Sequence, residues 1–177
     1  MTVLTRNPQN PNLLHSNKFQ LNFSRNPNLQ YFCQSMVVPG ISLREIPRTS
    51  PFVELYSPGD KAIYDILSVV FMVDEEMAAW KEIHDWIRAM TFPTEYEEYV
   101  NLPNLSRPIV KEIFPQFSDA KLTILSNANI PSFEFTFIDI FPLSLSTFGL
   151  STMYSPEEVV TADATFRYSY YNVKKLN

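Results

Sequence analysis

Glycine is almost missing from this chain. Only Gly40, Gly59 and Gly149 occur in 177 residues, where average usage of about 7% would supply about a dozen. Neither GxGxxG nor GxxxxGK[ST] can be written through the sequence, so the glycine loops that cradle dinucleotides and nucleoside triphosphates are excluded. Cysteine is scarcer still. The lone Cys33 permits no intramolecular disulfide and no thiolate metal framework, which fits assembly in a reducing cytoplasm. The two histidines, His15 and His84, are far apart, and neither HExxH, HxxE nor GxSxG occurs. No apolar run approaches the ~20 residues of a membrane helix. The opening residues, MTVLTRNPQNPNLLHSNK, lack the charged start and apolar stretch of a secretory signal. Basic residues form no block, and the net charge is −5, so a phosphate-tracking stripe for nucleic acid is not present.

What remains is a well-filled globular composition. Hydrophobic residues make up 45% and aromatics 14%, enough for a folded core in one domain. Fourteen prolines punctuate the chain. Residues 1–17, rich in Asn and Pro, read as an extended arm that orders against a partner. Residues 18–177 read as a single β-rich domain.

Period-2 alternation marks the strands. KFQLNFS (18–24) puts Phe19, Leu21 and Phe23 on one side. NPN (26–28) reads as a turn, and QYFCQSMVV (30–38) as a second strand forming a hairpin with the first. Pro39-Gly40 suits a type II turn, in which glycine takes a positive φ. Residues 41–60 hold Pro47, Pro51 and Pro58 and no steady period, so they read as a long loop. Its apolar residues Ile46, Phe52, Val53, Leu55 and Tyr56 make it a candidate subunit interface, since greasy loops of this length rarely lack a partner surface. AIYDILSVVFMV (62–73) reads as one strand. Residues 93–119 are an irregular connection, with a short helix near 95–100. KLTILS (121–126) is a strand and Asn127–Asn129 a turn. SFEFTFIDIF (132–141) alternates most cleanly, with Phe133, Phe135, Phe137, Asp139 and Phe141 on one face. VVTADATFRYSYYNV (159–173) is the last strand. Strands joined by turns and not by repeated helices imply a mainly antiparallel sheet.

The principal helix is expected at about 75–90. Asp74 stands at the N-cap and Glu75 and Glu76 in the first turn, where carboxylates meet the positive helix end. Pro93 stops it. Met77, Trp80, Ile83, Ile87 and Met90 recur at helical spacing and form its packing face. Lys81, Glu82 and Asp85 fall off that stripe as solvated charges, and Trp86 points away from its centre, toward a second surface. His84 beside carboxylates could suggest a general base. With no nucleophile in a recognisable context and no second ligand cluster, a satisfied histidine at the stripe's edge is the better reading. We assign no catalytic, cofactor-binding or metal residue. Cys33, inside a strand, reads as a small buried hydrophobe. The acidic run EYEEY (95–99) reads as a solvated face, and TFRYSYYNV, apart from Arg167, lacks the interleaved cations of a base-stacking platform.

The order of these features carries a resemblance. A strand ends in VVPGISL, a proline-broken segment runs to a second Pro-Gly-Asp, and YDILSVVFMVDEE feeds straight into MAAWKEIHDWIRAM. The chain closes with TFRYSYYNV. This resembles the tail-tube family of contractile-tailed bacteriophages over roughly residues 17–173, most specifically over Asp65–Met90. The resemblance implies an antiparallel β-sandwich or near-closed barrel with one flanking helix. It implies six-subunit rings whose inner sheets join around a channel, stacking on adjacent tube, baseplate, sheath or terminator proteins. DNA would pass the lumen without specific binding, and the site of action would be the virion tail, after assembly in the host cytoplasm. No membrane and no cofactor are implied. The long arm and the 93–119 connection leave room for a first ring on the baseplate or a terminal ring. The competing readings are a monomeric β-barrel binding module with 41–60 as its ligand lip, and an enzyme built around His84.

Overall fold

A computed structural model describes residues 12–91, 116–151, 153 and 159–176. Residues 1–11 of the expected arm, the short helix near 95–100 and the EYEEY run lie outside the described residues. The elements in chain order are β1 (Phe19–Phe23), α1 (Pro27–Phe32), β2 (Cys33–Val37), β3 (Ile41–Arg48), β4 (Leu55–Tyr64) and β5 (Leu67–Met72). They continue with α2 (Ala78–Thr91), β6 (Ser118–Leu125), β7 (Pro131–Leu145), β8 (Thr161–Arg167) and β9 (Tyr170–Lys175). Every strand pairing is antiparallel. The main sheet runs β1-β6-β7-β8-β5-β2, with β9 also on β7, and β3-β4 stand apart as a two-stranded sheet.

β7 belongs to both halves of the sandwich. Its first part pairs with β6 and β9, and its last residues, from Phe141 on, pair with β8. The crossing is marked by Asp139, whose φ is +54°. The expected alternation stops there: Phe137 and Ile140, three apart, are both fully buried. An extra residue in the left-handed region bends the strand and shifts its inward face by one position. The two halves enclose Leu21, Phe23, Leu67, Val69, Phe71, Leu122, Phe137 and Phe166, each at most 4% exposed. At about 1.5–3 kcal/mol for a fully buried large apolar side chain, these dominate the stabilisation. Ala120, Ala162 and Ala164 are also buried and leave space for the rings, such as Phe23 against Phe166 at 4.9 Å.

Several expectations are corrected. β1 and β2 do not form a hairpin: β1 pairs with β6 and β2 with β5. Between them Pro27 opens helix α1, its fixed φ suiting a first helical position, and fully buried Leu29 anchors that helix. No described glycine has a positive φ, so Pro39-Gly40 is not a type II turn. Gly40 instead lies where a Cβ would come within 2.8 Å of the Asp65 carboxylate. Residues 62–73 are two strands, broken at Asp65–Ile66, and the last strand is two, broken at Tyr168–Ser169. There Ser169 N donates to the Ile138 carbonyl (3.0 Å), passing the chain from one half of the sandwich to the other.

Candidate assembly surface

Residues 41–60 are not an irregular loop. They make most of a β-hairpin in which Ile41–Leu43 face Tyr64–Ala62 and Glu45–Arg48 face Pro58–Leu55. The register shifts between Leu43 and Glu45, and the shift explains Gly59. A Cβ there would collide with the Arg44 carbonyl oxygen, so the bulged strand approaches its partner more closely than any side chain allows. Neither hairpin strand pairs with the main sheet. All of β3 is exposed, and β4 reaches intermediate burial only at Ser57, Gly59 and Tyr64. Ile46, Leu55 and Tyr56 are about half exposed (51%, 50%, 55%), Val53 is 59% exposed and Phe52 is 96% exposed. An isolated two-stranded hairpin is marginal in water, and its exposed apolar residues make it the candidate docking surface. All five predicted interface residues sit on this one projection.

Helix α2 begins three residues later than expected. Asp74 accepts hydrogen bonds from the backbone N–H of Ala78 (3.1 Å) and Ala79 (3.4 Å). It therefore caps the helix from across a turn closed by Met77 N and the Asp74 carbonyl (2.9 Å). Met77, at φ +53°, ends that turn and lies outside the helix. Ile83 is fully buried, while Trp80, Ile87 and Met90 pack partly buried against the core. The centre of the buried face is Ala79, Ile83, Trp86 and Ala89. Trp86 is thus the reverse of what its spacing suggested: 1% exposed, it donates from Nε1 to the Gln116 carbonyl (3.2 Å). The Arg25 guanidinium lies 4.9 Å from its ring centre. Glu82 is not a solvated charge either. Its Oε1 accepts from Asn28 Nδ2 (2.7 Å), joining α1 to α2, and burial pushes its carboxyl pKa up.

His84 sits at the edge of the packing face. Its Nδ1 lies 3.1 Å from Oδ1 of the adjacent Asp85, with both side chains over 40% exposed, and its ring stacks on Trp80 at 5.1 Å. Among the described residues no group of three or more His, Cys, Asp or Glu could hold a metal. Burial pushes the Cys33 thiol up to about 11, the opposite of an activated nucleophile. The Tyr168 hydroxyl, raised to about 12 mainly by burial, donates to the Asp65 carbonyl (2.8 Å) and ties β8 to the strand break beside the hairpin. No described helix is long and apolar enough to cross a membrane.

Comparison with protein families decides what this surface belongs to. The sequence model of the phage tail tube protein family matches residues 8–174. The chain belongs to that family. It is therefore a structural protein of the virion tail. Solved structures with the same fold include a chain of the anti-feeding prophage baseplate (TM-score 0.62, 13% identity, covering 94% of this chain and 97% of that one). A chain of the anti-feeding prophage cap that terminates the tube is similar to the same degree (TM-score 0.62, 12% identity, 99% of each chain). So is a chain of the sheath-tube complex of the PVC extracellular contractile injection system in its extended state (TM-score 0.60, 11% identity, 94% of each). A search of curated proteins finds no match. At these identities the solved structures establish the tail-tube β-fold. Within that fold the β3–β4 hairpin stands apart from the main sheet with its apolar residues exposed.

Proposed function

We propose that the chain is a ring-forming subunit, six to a ring, of the tail tube of a contractile phage, and that the ring encloses the channel through which the genome passes. The observation that carries the reading is the β3–β4 hairpin: a two-stranded sheet with apolar residues exposed on a fold of the tail tube family. Such a hairpin gains its stability from a surface that the subunit does not itself provide. Copies of the same chain are the first partner. Adjacent tube, baseplate, sheath or terminator proteins are the next, reached through the hairpin and the arm of residues 1–17. DNA passes without specific binding. The net charge of −5 and the absence of a basic stripe favour passage over retention of phosphates. A second reading places the ring at an end of the tube, as a first ring on the baseplate or a terminator. The fold's equal likeness to baseplate, cap and tube chains supports it as well as a place in the repeating tube.

Negative-stain electron microscopy with light scattering over a concentration series tests this. Six-fold rings or stacks are the expected result. Rings that never stack favour the end position. A monomer at every concentration, with no ring on mixing with tube or baseplate proteins of the same phage, overturns the proposal in favour of a monomeric binding module.

A further inference from the structure

A pocket of about 310 Å³ opens where the chain entering α1 meets one side of α2. Asn26, Asn28, Glu82 and Trp86 line it, with Lys81 and Asp85 beside them. Two of its oxygens lack a donor. Asn26 is 1% exposed, and its Oδ1 is buried with no hydrogen-bond partner. Glu82 has one oxygen satisfied and one not. Its Oε1 accepts from Asn28 Nδ2 (2.7 Å), while its Oε2 is buried without a partner. A buried acceptor left unpaired costs about 1–3 kcal/mol, and more when it is charged. Two such acceptors in one pocket, drawn from two separate segments of the chain, call for a donor that the fold does not supply.

Charge selects the donor. Water would satisfy an acceptor but brings no counter-charge, and buried charges are as a rule paired. Among the described residues, the charged group that acts on Glu82 is Asp74, another carboxylate. The cations of the pocket are directed elsewhere. The Arg25 guanidinium lies 4.9 Å from the centre of the Trp86 ring. Lys81 precedes Glu82 by one residue, and helix neighbours at that spacing do not face each other; it stands four before Asp85, which suits that carboxylate instead. A metal ion fits poorly, because among the described residues no group of three or more His, Cys, Asp or Glu could hold one. An ammonium or guanidinium carries several N–H donors on one positive charge, and the Trp86 ring and Ala78 offer its alkyl stem an apolar wall. We propose that this pocket binds the ammonium or guanidinium end of a basic group, with Glu82 Oε2 and Asn26 Oδ1 as its acceptors. That end belongs to a lysine or arginine side chain of an adjoining protein or to a free aliphatic amine. The site does not depend on the ring reading above.

The test is a titration of the full chain at constant ionic strength and about pH 7, above the ordinary carboxyl range. NMR follows the Glu82 carboxyl carbon and the Asn26 side-chain amide, a local readout that does not require rings. The probes are N-acetyl-arginine amide, putrescine and N-acetyl-citrulline amide, which keeps the shape of arginine without its charge. Saturable shifts are expected with the arginine probe, with putrescine or with both, and binding about tenfold or more weaker with the citrulline probe. The tighter of the two cations names the source: the arginine probe a protein side chain, putrescine a free amine. In Glu82→Gln, which keeps the oxygen and removes the charge, cation binding read at the Asn26 amide should weaken by a similar factor. Equal responses to the arginine and citrulline probes overturn the proposal in favour of water or neutral donors. Binding undiminished in Glu82→Gln overturns it too, as does the lack of a saturable shift with any probe. If Glu82→Gln fails to fold, the unaltered chain is titrated at falling pH. Cation binding that weakens as the Glu82 carbon reports protonation supports the site, and binding indifferent to that protonation overturns it.

Discussion

Trp80 and Trp86 both lie on helix α2, and replacing each by alanine separates two accounts of how that helix packs. A fully buried tryptophan removes up to ~250 Å² from water, which at ~25 cal/mol per Å² is an upper limit of about 6 kcal/mol. Alanine replacements of buried Phe or Trp cost about 3–5 kcal/mol. Trp86 adds two specific losses. The Gln116 carbonyl loses its indole donor, worth about 0.5–1.5 kcal/mol. Arg25 loses the ring beneath it, a contact worth about 0.5–2 kcal/mol. Trp86→Ala is therefore expected to cost about 4–6 kcal/mol, a large part of the ~5–15 kcal/mol available to a typical domain. The melting temperature should fall by about 10–20 °C. Trp80 is only half-buried, stacked on His84 and edge-on to Phe148 at 5.8 Å, so Trp80→Ala should cost about 1–2.5 kcal/mol. Urea denaturation of both variants, each followed by fluorescence of its remaining tryptophan, gives the two values directly. If Trp80→Ala proves the more costly, the buried face does not run through Ala79, Ile83, Trp86 and Ala89, and the packing described for α2 is wrong.

Three further outcomes are expected. Phe52→Ser with Val53→Ser should leave the urea midpoint of the isolated chain within about 0.5 kcal/mol of the parent while weakening ring formation in sedimentation velocity, because these side chains touch no core of their own. Gly59→Ala should destabilise the hairpin by about 1–3 kcal/mol through the clash with the Arg44 carbonyl, seen as faster amide exchange over β3 and β4 with exchange in β5–β8 unchanged. The Glu82 carboxyl has a folded pKa raised by burial, so its proton favours the folded state. That stability is fully present below the unfolded carboxyl pKa and is lost as pH rises through the folded value. Glu82→Gln keeps an acceptor for Asn28 and should flatten the urea-midpoint profile on the alkaline side of the ordinary carboxyl range, and an unchanged slope would show that Glu82 is not its source.

Much of the sheet was legible because one buried face imposes period 2. Leu21, Phe23 and Phe137 are buried on the faces that alternation marked. What alternation could not show was which strands pair, since β1 and β2 look like a hairpin until the six residues of α1 intervene. That helix is too short for a 3.6-residue period to emerge. The β3–β4 hairpin escaped for a different reason. With no core of its own, its apolar residues have no preferred side, and the bulge at Gly59 breaks whatever period remains. In α2 the apolar residues were counted from Met77, but the helix starts at Ala78. Two alanines, Ala79 and Ala89, form part of its buried centre without standing out as apolar anchors. The interface candidates were chosen by composition alone, and what the structure adds is that Ile46, Phe52, Val53, Leu55 and Tyr56 are all exposed. The tail-tube resemblance rested on the order of segments, which survives even where the internal structure of a segment is misread.

The bend at Asp139 has a mechanical meaning. Two sheets held only by interdigitated side chains can shear past each other when pulled at their edges. In this protein the backbone of β7 passes from one half of the sandwich to the other, and the chain from β8 to β9 makes the same passage at Tyr168–Ser169. Two continuous covalent strands therefore act as tendons across the core. A load applied to β9 at one edge is passed along peptide bonds to the strands that flank β8, without any side chain having to slip.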